Sequence, residues 1–374
     1  MEFVTIPMNI KYLELSRISD SFQPELLERV QRVITSGSYL NGACLKSFEQ
    51  NFAQYTGNKY CVGVGNGYDA LKISLMTLKK LHGWDDDCEV IVPTLTFVAT
   101  AMAVVNAGLR VVFVDVDDNG LMDTDSLPAA VTSKTRCIIP VHLYGKMCNM
   151  GVLRKLSEEQ GLVLLEDAAQ CHGAAINNIK PGNLSAAAAY SFYPTKNLGA
   201  LADAGAIVSN DEEFANMARR IANYGAEEKY IHLQNGENSR LDELNASVLS
   251  LKLQRLDEDN AKRRSIAYRY SSQISNKAVT VPYKGNVVDS VFHVYPLRVD
   301  NRREFQQYMS EKGIETAIHY PIPCHRQKAF TQYNTLSFPV AEQWAEHEVS
   351  LPLTPFLAAE EIDYIIETVN HYPK

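Results

Sequence analysis

Apolar positions along the chain fall into two alternating rhythms. Short runs rich in Val and Ile predict strands: YCVGV at 60–64, EVIVP at 89–93, RVVFVD at 110–115, RCIIPVHLY at 136–144, LVLLED at 162–167, AAYSFYP at 188–194 and AGAIV at 204–208. Between them lie stretches with helical spacing, among them YDALKISLMTLKKL and NMGVLRKLSEEQ. Near-continuous apolar strands separated by helices imply a mostly parallel sheet covered on both faces, here an α/β layer of seven strands. A longer helical pattern then runs from Leu241 to Gln273, with Leu244, Val248, Leu251, Leu253 and Leu256 at helical spacing. From Val279 the rhythm changes to a strand, FHVYPLRV, a helix, RREFQQYMSEKG, a strand, IETAIHYP, and a closing helix, AAEEIDYIIETVNHY. That change predicts a smaller C-terminal α+β domain, residues 256–374, after a large domain of residues 1–255.

Composition narrows the function classes. The 374 residues are 46% hydrophobic, and the net charge of −8, from 36 Lys+Arg against 44 Asp+Glu, carries no basic stripe. Nucleic acid and anionic membrane are therefore poor partners. The start, MEFVTIPMNIKYLELSRISD, lacks a basic segment followed by an apolar one, and no run reaches the ~18 apolar residues of a spanning helix. A cytoplasmic protein is expected. Seven cysteines, at 44, 61, 88, 137, 148, 171 and 324, form no CxxC pair, which fits a reducing compartment and a role as buried fillers.

Ligands of such sheets bind beyond the carboxyl ends of the strands, so chemistry is sought there first. In VGVGNGYDALKISL a strand runs through Gly63, Gly65 and Gly67 into a helix start. Glycines let backbone amides approach an anion and the helix terminus adds positive potential, although the same pattern also serves as a plain tight turn. A dinucleotide reading needs an acid at the end of the next strand, where EVIVPTLTF offers Pro and Thr. In LVLLEDAAQCHGA a strand delivers Glu166 and Asp167 to its tip, as site carboxylates or as a helix cap. In SFYPTKNLGALADAGAIV, Lys196 sits among apolar and small residues that would keep it dry. A desolvated lysine favours its neutral, nucleophilic amine. Phe97 in VPTLTFVATA could cover a ring or simply pack at a strand end. Anion cradle, strand-tip carboxylate and dry lysine together match pyridoxal 5'-phosphate.

These segments, with YLNGACLKSFEQNFAQYTG, VVFVDVD, VHLYG, GENSRLDELNA, HYPIPCH and SLPLTPFL, resemble the DegT/StrS-type sugar-nucleotide aminotransferases of fold type I over almost the whole chain. The resemblance implies that Lys196 forms the Schiff base, Asp167 pairs with the ring nitrogen, Gln170 meets the phenolic oxygen, and Phe97 covers the ring. It places Gly67, Tyr68 and Ser191 at the phosphate, and Asn238 at the phosphate of a second subunit in a homodimer with shared active sites. Relatives carry a small hydroxyl residue where Tyr68 stands, and glycines where Ala202 and Ala204 stand. The implied reaction moves an amino group from L-glutamate to a keto-deoxysugar nucleotide. The expected acceptor is a dTDP-3-keto-6-deoxyhexose, giving the dTDP-3-amino-3,6-dideoxyhexose. The alternatives are a 4-keto sugar on dTDP, UDP or GDP, a sugar dehydratase of the same fold, which Lys196 argues against, and a regulator that binds the cofactor without turnover. His319, Tyr320 and His325 in HYPIPCH, and His172, are the expected sugar-side residues. His319 and His325, six apart and flanking prolines, could suggest a metal, but no other ligand cluster accompanies them and none is expected.

Overall fold

The apolar runs of the first half become one sheet: β1 (Tyr60–Val64), β2 (Glu89–Pro93), β3 (Arg110–Val114), β4 (Thr135–Ile138), β5 (Val163–Asp167), β6 (Ala187–Ser191) and β7 (Gly205–Ser209). This computed structural model describes residues 8–283 and 289–373, so the outer ends of both expected domains and residues 284–288 lie outside it. The strand order is β1-β7-β6-β5-β4-β2-β3. Only β7 runs against its neighbours, pairing antiparallel with β1 and β6, while the other pairings are parallel. The sheet is therefore mostly parallel, as the pattern predicts.

Alternate residues of each strand enter separate cores on the two faces. Val62, Leu165, Ala187, Ala189 and Ile207 pack with Leu71, Leu75 and Phe214 on one side. Cys61, Leu164, Ala188, Tyr190 and Val208 pack with Phe48, Phe52 and Leu249 on the other. Burial on both faces explains why these strands read as unbroken apolar runs rather than as alternating ones. All seven cysteines are free thiols and only Cys44 is not buried. Among the described residues, no helix is long and apolar enough to cross a membrane.

Three expectations change. The helical pattern from Leu241 to Gln273 is two helices, Glu243–Leu253 and Leu256–Gln273, broken at Gln254 and Arg255. Asp257, Glu258 and Asp259 fill the first turn of the second, where carboxylates favour a new helix start. The run at 136–144 stops being a strand at Ile138, and Tyr144 further on adopts φ 61°, in the left-handed region. In the C-terminal layer the three antiparallel strands are Val279–Thr280, Tyr295–Val299 and Glu348–Leu351. The segment IETAIHYP is not one of them. It meets its neighbours through single bridges, Ile10 to Ile314 and Ala317 to Ser350. Its next amide, His319 N, bonds the Glu348 carboxylate at 2.6 Å instead of a strand, and Pro321 and Pro323 have no N–H to offer.

Candidate active site

Because β6 is parallel to β5 and β7 is antiparallel, the ends at Val64, Asp167 and Ser191 and the start at Gly205 share one edge of the sheet. A cavity of about 540 Å³ opens there. Lys196, Asp167, Gln170, Phe97, Gly67, Tyr68 and Ser191 line it, joined by His319 and Tyr320 from the C-terminal layer.

Asp167 is 6% exposed. Its Oδ2 accepts from Thr100 Oγ1 at 2.8 Å and its Oδ1 from the Ala169 amide at 3.1 Å. Burial raises its pKa, while those hydrogen bonds and Lys196 act in the opposite direction. Strand alternation sends Glu166 the other way, to His142 Nε2 at 2.7 Å, the Gly182 amide at 2.7 Å and Ser185 Oγ at 2.5 Å. Of the two strand-tip acids, only Asp167 faces the cavity.

Lys196 stands in a turn closed by its own amide on the Tyr193 carbonyl at 2.8 Å. Desolvation lowers its pKa from 10.5 to about 8, against the opposing pull of Asp167. The turn is fixed from behind. Asn197 Nδ2 bonds Asn260 Oδ1 and the Val291 carbonyl, each at 2.9 Å, and buried Lys252 donates to the Gly199 carbonyl at 2.7 Å. A Cβ at Gly199 would stand 2.4 Å from the Pro194 carbonyl oxygen, so only glycine closes this loop.

At the opposite wall the helix Gly67–His82 points its N-terminus into the cavity. Asn66 caps it, Oδ1 accepting from the Asp69 amide at 2.8 Å. The first-turn amides of Gly67 and Tyr68 have no partner within the helix, and a helix N-terminus favours negative charge in front of it. The approach is close: a Cβ at Gly67 would lie 2.5 Å from Ser191 Cβ. The Tyr68 OH is directed to Asn106, accepting from its Nδ2 at 2.7 Å.

Gln170 Oε1 accepts from the Tyr144 amide at 2.6 Å, and its Nε2 donates to Tyr320 OH at 2.9 Å. Phe97, 55% exposed, meets Tyr320 with ring centroids 5.5 Å apart. Two expected sugar contacts depart from expectation. His325 lies outside the cavity, with Nδ1 at 2.7 Å from Thr94 Oγ1 and Nε2 at 3.0 Å from Glu342. His172 is buried behind β6, Nε2 at 2.8 Å from the Ser191 carbonyl and Nδ1 without a partner. Asn238 is exposed and away from this chain's cavity, in a segment anchored by Ser239 Oγ to the Gly65 amide at 2.9 Å and Asp69 at 2.7 Å.

Sequence reasoning missed His293, whose Nε2 stands 3.5 Å from Lys196 Nζ and whose Nδ1 is 3.3 Å from Asn197 Oδ1. Burial, then the Lys196 charge, holds it neutral, well below the ordinary histidine pKa. The lone polar residue in FHVY was its only signal. Asp203, Thr96 and Asn66 also line the cavity unforeseen. Among the described residues no group of three His, Cys, Asp or Glu could hold a metal ion.

A desolvated amine lining the same cavity as a buried carboxylate, with a helix N-terminus on the opposite wall, suits a phosphorylated aldehyde. The sequence profile of the DegT/DnrJ/EryC1/StrS aminotransferase family matches residues 20–370. The dTDP-3-amino-3,6-dideoxy-alpha-D-galactopyranose transaminase of Aneurinibacillus thermoaerophilus is 42% identical, the match covering 97% of this chain and 99% of that one. The UDP-2-acetamido-2-deoxy-3-oxo-D-glucuronate aminotransferase of Pseudomonas aeruginosa is 36% identical, covering 97% of this chain and all of its own. The crystal structure of S. venezuelae DesV in complex with a ketimine intermediate superposes with a TM-score of 0.93 at 37% identity, covering 97% of this chain and 98% of that one.

Proposed function

The chain belongs to the DegT/DnrJ/EryC1/StrS aminotransferase family and is a pyridoxal-phosphate-dependent transaminase, and on that premise we propose that it moves an amino group from L-glutamate to a dTDP-3-keto-6-deoxyhexose. The product is then the dTDP-3-amino-3,6-dideoxyhexose. The observation that carries the reading is the Lys196 amine, held dry across the same cavity from Asp167. The 3-keto preference is supported by relatives whose names place the reacting group at C3. A 4-keto sugar nucleotide is the second reading to test.

The residues present fit the cofactor. Gly67 leaves no room for a side chain beside Ser191, as a phosphate seated against a helix terminus requires. Lys196 would hold the aldehyde, Asp167 the ring nitrogen, Gln170 the phenolic oxygen, Phe97 one ring face, and Gly67, Tyr68 and Ser191 the phosphate. Pyridoxal phosphate supplies an aldehyde that condenses with amines and a ring that withdraws electrons from the adjoining carbon. Lys196 Nζ, a neutral amine whenever it is not holding the aldehyde, would take the α-proton of glutamate and, in the second half-reaction, deliver a proton to the sugar carbon that ends bearing nitrogen. Asp167, held by its hydrogen bond from Thr100, would be the carboxylate partner of the ring nitrogen. His319 and Tyr320 face the substrate side.

The same reading divides the chain into a cofactor-binding domain, residues 1–255, and a smaller domain, residues 256–374, with the cavity between them. The helix break at Gln254 and Arg255 supports that division. It also makes the active form a cytoplasmic homodimer in which Asn238 completes the partner's phosphate site. Exposed Tyr39, Leu40, Tyr224, Tyr230, Ile231 and Leu233 give that interface an apolar surface. The test is stepwise. Glutamate alone should bleach the yellow holoenzyme, and a dTDP-3-keto-6-deoxyhexose should restore the colour. Restoration by a 4-keto sugar nucleotide in its place would move the assignment to C4, and no bleaching by glutamate would refute the transaminase reading.

A further inference from the structure

His319 reaches the cavity on a short hydrogen-bonded chain that no catalytic role yet uses. Its Nδ1 lies 2.8 Å from Ser350 Oγ, Ser350 Oγ lies 2.5 Å from Glu348 Oε1, and Glu348 Oε2 accepts the His319 backbone amide at 2.6 Å. Glu348 and Ser350 are both fully buried. With Nδ1 engaged, Nε2 is the ring nitrogen left for the cavity.

A serine hydroxyl has one hydrogen, so the chain has two consistent arrangements. If Glu348 is ionised, Ser350 donates to it and His319 Nδ1–H donates to Ser350, leaving Nε2 a bare acceptor. If Glu348 carries a proton, it donates to Ser350, Ser350 donates to Nδ1, and Nε2 holds the hydrogen as a donor. We propose that Glu348, acting through Ser350, sets which nitrogen of His319 carries hydrogen, and so whether the cavity presents a donor or an acceptor to an oxygen of the sugar substrate. Glu348 and Ser350 are positioning residues for His319. The inference rests on the transaminase reading only for the identity of that oxygen.

The surroundings favour the neutral chain. Burial raises the Glu348 pKa from 4.5 to about 8 and outweighs the opposing hydrogen bonds from Ser350 and the His319 amide and the more weakly acting Arg302 charge. Tyr12, Tyr144, Tyr283 and Tyr320 also face it, and Tyr12, which feels Arg263 as well, approaches Ser350 with its hydroxyl. On the other side, burial and the Lys196 charge hold the His319 pKa down to about 4, and neighbouring His293 stays neutral. An imidazolium is disfavoured, so His319 changes character by exchanging tautomers rather than by charging. At pH 6 to 7 the donor form is then the working one.

The test is nitrogen NMR of the full chain labelled with 15N-histidine, from pH 6 to 9, with the His319 signals assigned by their loss in His319→Gln. The wild-type protein should pass from Nε2–H at low pH to Nδ1–H at high pH. Glu348→Gln keeps the acceptor for the His319 amide and a permanent donor toward Ser350, so it should hold Nε2–H throughout. Ser350→Ala leaves the carboxyl in place but cuts the chain, and should abolish the transition even if Glu348→Gln fails to fold. A single unchanging tautomer in the wild-type protein, or the same transition in either folded variant, overturns the proposal. Glutamate bleaching, measured separately, reports whether the transaminase reading itself stands.

Discussion

Lys196 owes its chemistry to dryness. An ordinary lysine near 10.5 is almost wholly charged at neutral pH, whereas burial brings this one down to about 8. The folded-state value is the lower one, so the neutral amine gains with rising pH and its fraction levels off above about 8. The rate at which added pyridoxal phosphate turns the apoprotein yellow should therefore climb by roughly tenfold per pH unit well below 8 and flatten above it. A rate still climbing steeply at pH 10 would mean that Lys196 is solvated. Asp167 and Lys196 were legible in the sequence because a strand tip and an apolar loop advertise them. His293 was not, because what brings it to the cavity is a 3.5 Å approach to Lys196 across 97 positions of chain. His172 and His325 lie outside the cavity lining, which proximity to motifs along the chain does not reveal.

At the scale of elements, one contact fixes the anion cradle. Gly205, the first residue of β7, passes so close to the cap of the Gly67–His82 helix that a Cβ there would lie 2.4 Å from both the carbonyl carbon and oxygen of Asn66. Backbone cannot move aside as a side-chain end can. Gly205→Ala should cost about 1–3 kcal/mol of stability and weaken cofactor binding, as read by urea melts and pyridoxal phosphate titration. Gly151→Ala, whose nearest new contact is 3.6 Å away on a helix, should be neutral or mildly stabilising. Equal effects from the two would show that the cradle tolerates displacement. The strands of the parallel sheet were readable because both faces are buried, so the apolar signal is continuous. The C-terminal strand order was not, because Glu348–Leu351 is a short run and its partner segment gives its amide to a side chain.

At the scale of the molecule, one chain lines the cavity with residues of the sheet edge and of the C-terminal layer, while Asn238 is not among them. A shared-site dimer predicts complementation. Lys196→Ala and Asn238→Ala subunits, each inactive or weak alone, should regain activity when mixed and allowed to exchange, because one site of the mixed dimer inherits both intact residues. Sites contained within one chain would show no gain. Fold class and cofactor chemistry were visible in the sequence as periodicity and as residue types at strand ends. The proposed subunit contacts have only exposed apolar side chains as their trace.

The most direct measurement is borohydride reduction of the pyridoxal-phosphate-loaded protein followed by peptide mapping. The covalent tag should fall on the peptide carrying Lys196, and Lys196→Ala should yield neither tag nor transamination. A tag on any other lysine, or full activity in Lys196→Ala, would contradict the account.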